Sequence, residues 1–355
     1  MVPLYFISNQ PFSGKSSMCV GVGKIFSEKG LKVGYMKPVG TLPTKVGGVT
    51  TDEDAQYISN ILGSEDRLED ICPVVLTQQY NREGLKDEKF SADFIEKIAR
   101  SYHNIKKDKD VVVLEGAKSL EDGYFLGICA LKICQKLKAK TVMVFRYDAE
   151  VVNQVLFARD VLGDSFGGVI INWVPRSQID YMEELVLPYL VKKKINIFGY
   201  VVSDKILSSV SVKEMADLLG GQIICAQDNT DGLVETFMVG AMGQEQALKF
   251  FRRKANKAVI TGGDRADVQL AALETQTKCL ILTGNFQPST VVLGRAEELG
   301  VPMILVDYDT LTAVEKAGEI IGHVRFHEIK KIDKIVEVVR EYIDTERIME
   351  LSGKQ

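Results

Sequence analysis

The stretch Tyr5-Phe6-Ile7-Ser8-Asn9-Gln10-Pro11-Phe12-Ser13-Gly14-Lys15-Ser16-Ser17 constrains this chain more than any other. A short apolar run passes at once into a tight loop ending Gly-Lys-Ser. That is the pattern of a first β-strand feeding a phosphate-binding loop and then a helix. Gly14 lets backbone N–H groups approach phosphate oxygens, Lys15 can reach the β and γ phosphates, and the Ser16 hydroxyl can ligate Mg²⁺. The helix N-terminus that begins here favours an anion. Phe12, Ser13 and Ser17 complete the expected nucleotide-binding loop. The first glycine of the usual pattern is replaced by Asn9, which tolerates a left-handed backbone better than most residues.

The remaining strands are read from apolar runs. Asp110-Val111-Val112-Val113-Leu114-Glu115-Gly116 is an unbroken β-branched run of the kind buried on both faces of a parallel sheet, and it ends in a carboxylate. Thr141–Phe145, 167–173 and 198–202 read as further strands, with helical segments between them. Alternation of this kind predicts a doubly wound, mostly parallel α/β sheet with helices on both faces and its ligand at the carboxyl ends of the strands. Lys37, Glu115 and Asn172 all follow strand ends. Pro43–Thr50 reads as a Gly-rich mobile loop, Glu65–Phe90 as irregular, and 331–349 as one long closing helix.

Three acids compete for a metal beside Lys15 and Ser16. Ser16, Asp54 and Glu115 could supply the hard oxygens Mg²⁺ prefers, while Asp52 suits a helix cap. Pro38 biases Lys37 to an extended backbone that aims its ammonium at phosphate or a substrate anion. Asn172 could read an adenine edge.

After a Ser-rich link at 203–212 the strand–helix alternation restarts, so a smaller α/β domain is expected. The division read here is 1–204, 213–325 and a C-terminal helix at 326–355. In the second part, 257–261 is a strand running into Gly262-Gly263-Asp264-Arg265. There backbone N–H groups and the planar Arg265 fork could hold a small anionic effector.

Composition narrows the function classes. The chain has 355 residues, 46% hydrophobic and 26% charged, with a net charge of −4. No large basic footprint argues for nucleic acid. No apolar run approaches the ~18 residues a membrane span needs, and the N-terminal run has neither the length nor the basic flank of a signal peptide. The six cysteines have no metal-ligand spacing and read as small buried thiols of a reducing, cytoplasmic compartment.

Tyr5-Phe6-Ile7-Ser8, Gly14-Lys15-Ser16, Tyr35-Met36-Lys37-Pro38-Val39, Asp54-Ala55, Val113-Leu114-Glu115-Gly116 and Asn172-Trp173-Val174-Pro175 together resemble dethiobiotin synthetase, in the same order and at near-equal spacing over roughly residues 1–203. The resemblance implies ATP and Mg²⁺ as ligands. It implies Lys15 and Ser16 on ATP-Mg²⁺, Lys37 on the carbamate being phosphorylated, Asp54 and Glu115 on metal, and Asn172 on adenine. The loop is one residue shorter than in that family, and Ala117-Lys118-Ser119 stands where the family tends to have a further glycine. Residues 261–267, with Leu282-Thr283-Gly284 and Pro288-Ser289, resemble a DRTGG domain. The pair resembles the stand-alone phosphotransacetylase-family proteins that lack the acetyltransferase domain. That implies a regulatory, self-associating second part, a homo-oligomer, and no phosphotransacetylase activity by this chain alone. Two functions are then expected to compete: ATP hydrolysis or phosphorylation of a carboxylate or carbamate, and nucleotide sensing on behalf of a partner enzyme.

Overall fold

The computed structural model describes residues 1–322 and 329–353. The chain divides into two compact units, Met1–Ser203 with Phe326–Gln355, and Asp204–Arg325. Of the segments expected at 213–325 and 326–355, residues 323–328, 354 and 355 lie outside the described residues.

The first unit is built on six parallel strands, β1 (Leu4–Ile7), β2 (Val33–Met36), β3 (Val111–Glu115), β4 (Lys140–Arg146), β5 (Phe166–Val174) and β6 (Ile197–Val202), in the order β6-β5-β4-β1-β3-β2. β3 is buried along its whole length, as its β-branched run requires when helices cover both faces. Its neighbour β1 is equally buried. The pairing Phe6–Glu115 places the terminal carboxylate of β3 beside the start of the loop that follows β1. Helix α1 (Lys15–Glu28) begins directly after that loop.

Two segments are more ordered than their composition suggests. Pro43–Val46 and Val49–Asp52 form an antiparallel hairpin. Gly47 and Gly48 both take positive φ, 55° and 85°, the geometry a tight two-residue hairpin turn requires. The stretch read as irregular contains helices Leu68–Ile71 and Gln78–Lys86.

The C-terminal segment is two helices, Ile329–Tyr342 and Thr345–Glu350, where one was expected. The break is fixed by the edge strand. Gly199 bridges to Ile343, and the Asp344 N–H donates to the Phe198 carbonyl at 2.7 Å. The first of these helices lies on α1, where a Cβ on Gly21 would come within 2.5 Å of Val339. A β6 edge left open would be a template for unwanted pairing.

The second unit is a five-stranded sheet ordered Gln222–Cys225, Met303–Leu305, Thr277–Thr283, Lys257–Gly262, Thr236–Val239, parallel except for the first pair. Alternation splits its strands between two cores. Ala258, Ile260, Cys279 and Ile281 face one way, and Val259, Leu280 and Leu282 the other. The strand Thr236–Val239 and the helix Gln244–Phe251 have no counterpart in the sequence reading. All six cysteines are buried free thiols, and among the described residues no helix is long and apolar enough to cross a membrane.

Candidate functional site: a phosphate-loop end of the first sheet

The loop between β1 and α1 turns through two left-handed residues, Phe12 (φ 57°) and Gly14 (φ 89°). Asn9 is not one of them. Its side-chain amide instead donates to Gln154 Oε1 at 3.0 Å, so it props the loop from the side. Turns containing αL residues can line up neighbouring N–H groups into an anion-binding concavity. Gly14 is the N-cap of α1 and no side chain caps the helix, so first-turn N–H groups stay available to an anion. Ser13 is buried, and among the described residues its hydroxyl has no partner. Phe12 projects outward, and Ser17 is half-buried in the first turn of α1.

A close approach fixes the loop from below. A Cβ on Gly14 would lie 2.1 Å from Asn172 Nδ2. That amide donates to the Ser13 carbonyl at 2.8 Å, and its oxygen accepts from the Trp173 N–H at 2.9 Å. Asn172, expected to read a base, thus holds the loop and shapes the backbone of the next residue. Trp173 takes φ 64°, a strained value for a bulky side chain. The Arg146 guanidinium lies 4.7 Å from its ring centroid.

The charged residues expected at this end of the sheet do meet. Lys15 is buried, and loss of solvent lowers its pKa from the ordinary lysine value despite the attraction of Glu115. Ser16 Oγ donates to Glu115 Oε1 at 2.6 Å, and Tyr35 donates to Glu115 Oε2 at 2.7 Å. Burial pushes the Tyr35 phenol well up, and the Glu115 carboxylate pushes it further, so it keeps its proton and donates. Lys37 is 3% exposed, and its ammonium sits 2.7 Å from Asp52, 3.4 Å from Asp54 and 3.8 Å from Glu115. Burial works against that charge. The carboxylates of Glu115, Asp52 and Asp54 outweigh it and hold the ammonium protonated, well above the usual lysine range.

Asp52 and Tyr35 extend the set beyond the expected residues. Asp52 is fully buried and does more than cap a helix. Besides Lys37 and the capping N–H of Ala55, it accepts from Thr41 and Leu42 at 2.7 and 2.8 Å. Tyr35 could have been found from spacing, since residues two apart on a strand share a face, and it precedes Lys37 by two.

Among the described residues no group of three or more His, Cys, Asp or Glu is placed to hold a metal ion. Ser16, Glu115 and Asp54 are nonetheless hard oxygen donors of the kind Mg²⁺ uses together with phosphate oxygens and water. The residues fit a metal that shares its shell with a bound phosphate, and do not form a closed protein cage.

The expected second site is built differently from its sequence reading. The Gly263 N–H donates to the Thr283 carbonyl at 3.2 Å, because the sheet ladder continues past the strand end. A Cβ on Gly263 would lie 1.9 Å from the Phe286 carbonyl oxygen, so a neighbouring loop closes over it. The Arg265 fork is spent on Asp267, with Nε and Nη2 both at 3.1 Å, and on the Met242 carbonyl at 3.0 Å. Asp264 is exposed. Buried beneath the glycines, the Gln269 amide nitrogen donates to the carbonyls of Gly262 and Gly263.

Two family models match the chain, one described as an AAA domain over residues 4–215 and the DRTGG domain over residues 214–320. Phosphate acetyltransferase of Pseudomonas aeruginosa is 22% identical over 98% of this chain and 52% of its own length. ATP-dependent dethiobiotin synthetase of Methanococcus vannielii is 28% identical over 54% of this chain and 89% of its own length. The chain spans about half the length of the phosphate acetyltransferases it matches. One solved structure holds the CBS and DRTGG domains of the regulatory region of Clostridium perfringens pyrophosphatase with the activator diadenosine tetraphosphate. It is 19% identical over 44% of this chain and 71% of that one, with a TM-score of 0.29, too loose a likeness to carry an argument.

Proposed function

This chain belongs to the AAA domain family and carries a DRTGG domain behind that match, and from that premise we propose that its first unit binds ATP with Mg²⁺ and transfers the γ-phosphoryl group to an anionic oxygen. The observation that carries the reading is the convergence of Lys15, Ser16, Glu115, Lys37 and Asp54 beside a loop whose buried Ser13 hydroxyl has no partner among the described residues.

Each residue then has a task. The N–H groups of the loop and of the first turn of α1 hold the β and γ phosphates, with Lys15 between them. Ser16, Asp54 and Glu115 hold the metal, which supplies charge neutralisation on the phosphate oxygens when bound. Lys37 binds the acceptor, a carboxylate or carbamate. An acceptor oxygen attacks the γ phosphorus, the bond to the β–γ bridging oxygen breaks, and ADP leaves with that electron pair. Such reactions depend mainly on positioning and electrostatics, and this site supplies both. The relative named ATP-dependent dethiobiotin synthetase supports ATP as the nucleotide. Water as acceptor would make the same site an ATPase.

The second unit we read as regulatory, taking a small anionic effector or holding two copies of the chain together. A second function follows from the phosphate acetyltransferase relatives, which align along nearly the whole chain: nucleotide occupancy of the first unit would be sensed on behalf of an enzyme of acetyl-phosphate chemistry. Calorimetry with Mg-ATP on wild type and Lys15→Ala tests nucleotide binding. Phosphate release with and without candidate acids then separates an enzyme from a sensor. Binding that is indifferent to Lys15→Ala would end both readings.

A further inference from the structure

Lys37 is held more tightly than binding an acceptor requires. Its ammonium lies within 4 Å of all three carboxylates at this end of the sheet. Asp54 and Glu115 are the acids assigned to the metal, and Ser16 donates to the same Glu115 oxygen, Oε1, that lies nearest the ammonium. Mg²⁺ requires its oxygens at about 2.0–2.1 Å around one centre. Here Asp54 and Glu115 instead face an ammonium at 3.4 and 3.8 Å, and its like charge opposes a second cation in the same space.

We propose that Lys37 is the resident counter-ion of the carboxylate cluster and keeps divalent metal out of the free protein, so that metal enters only together with a nucleotide. The proposal rests on reading the loop as a nucleotide site. Charge supports it. Against Asp52, Asp54 and Glu115, Lys15 and Lys37 leave one negative charge unbalanced, and without Lys37 two would remain.

Asp52 completes the device as a positioning residue. Backbone N–H groups of Thr41, Leu42 and Ala55 hold its carboxylate independently of any ligand. When Asp54 and Glu115 turn to a metal, Lys37 therefore keeps its shortest contact, the one to Asp52 at 2.7 Å. The ammonium stays in place, with N–H groups released toward an incoming anion. Exchange of cations would thus load the metal and free Lys37 for the acceptor in one event.

Mn²⁺ is the probe, with free ion counted by electron paramagnetic resonance in the absence of nucleotide. Wild type is expected to take up no Mn²⁺ below about 1 mM, and Lys37→Met at least roughly tenfold more tightly than wild type, on the scale of one removed like charge. Lys37→Arg, which keeps the charge, should exclude Mn²⁺ as wild type does. Adding ADP to wild type should bring Mn²⁺ in. Equal uptake by wild type and Lys37→Met, or no uptake by a folded Lys37→Met, overturns the proposal. So does uptake by Lys37→Arg equal to that of Lys37→Met. If Lys37→Met does not fold, uptake by free wild type decides alone: binding below about 1 mM is the overturning result and exclusion the supporting one. Failure of wild type to bind ADP by calorimetry would instead end the nucleotide reading, a separate measurement from the nucleotide-free comparison.

Discussion

Replacing Gly14 by Ala should damage the loop through a named neighbour, and a double-mutant cycle can show it. The φ of 89° at Gly14 costs an L-residue about 1–2 kcal/mol. The new Cβ would stand 2.1 Å from Asn172 Nδ2, so the Asn172 amide must withdraw. Withdrawal breaks its bonds to the Ser13 carbonyl and from the Trp173 N–H, about 1–1.5 kcal/mol each in a buried setting. Gly14→Ala should therefore lose about 3–5 kcal/mol, and Asn172→Ala alone about 2–3. Because the same two bonds are lost in both, the double variant should be no less stable than Gly14→Ala. The assay is urea unfolding followed by fluorescence. Trp173 is the only tryptophan and lies in the first unit, so the transition reports that unit. Losses that add within about 0.5 kcal/mol would refute the contact. On the proposed nucleotide reading, Mg-ADP affinity should fall in Gly14→Ala, because its misplaced N–H groups would line the phosphate site.

Two further outcomes test other parts of the fold. Gly21→Ala lies within α1, where Ala normally gains about 0.5–1 kcal/mol over Gly; here it should destabilise, because Val339 of the C-terminal helix would be 2.5 Å from the new Cβ, and a stabilised variant would refute the docking of that helix. Lys257 is enclosed, with one bond to the Gln276 carbonyl, and burial lowers its pKa from 10.5 to about 8. The unfolded chain binds the extra proton between those values, so the penalty of burying the charge is full below pH 8 and fades by pH 10.5. Lys257→Met should then stabilise by on the order of 2 kcal/mol at pH 7, after discounting for local relaxation around a buried charge, and by little at pH 10.5 in thermal melts; a gain that does not change with pH would refute the assignment.

The elements that carry chemistry were legible where the signal is local. A strand, a Gly-Lys-Ser loop and a helix are contiguous, and Lys37 and Glu115 each end a strand, so their meeting follows from a parallel sheet alone. Asp52 was ambiguous because one residue does two jobs: it caps a helix, as its type suggests, and it anchors Lys37, which only tertiary approach shows. Asn172 is 159 residues from its partner Ser13, so nothing near it in sequence shows its hold on the loop. Arg265 pairs with Asp267, two residues on, which the Gly-Gly-Asp-Arg pattern alone does not show. In sequence Gly47 and Gly48 suggest a mobile loop, whereas their positive φ values make a tight turn. The strand Thr236–Val239 does carry the apolar run Phe237-Met238-Val239, but it is short and only half-buried, at a sheet edge.

The central claim is that the loop at residues 8–17 holds the phosphates of a nucleotide. Trp173 stands beside it: its Nε1 would lie 3.9 Å from a Cβ on Gly14. Titrating Mg-ATP against wild type while following Trp173 emission should give a saturable change. In Lys15→Ala the same titration should show a large loss of affinity, and without Mg²⁺ a weaker midpoint. A flat emission trace, accompanied by no binding heat at the same concentrations, or a Lys15→Ala curve that overlays wild type, would contradict the account.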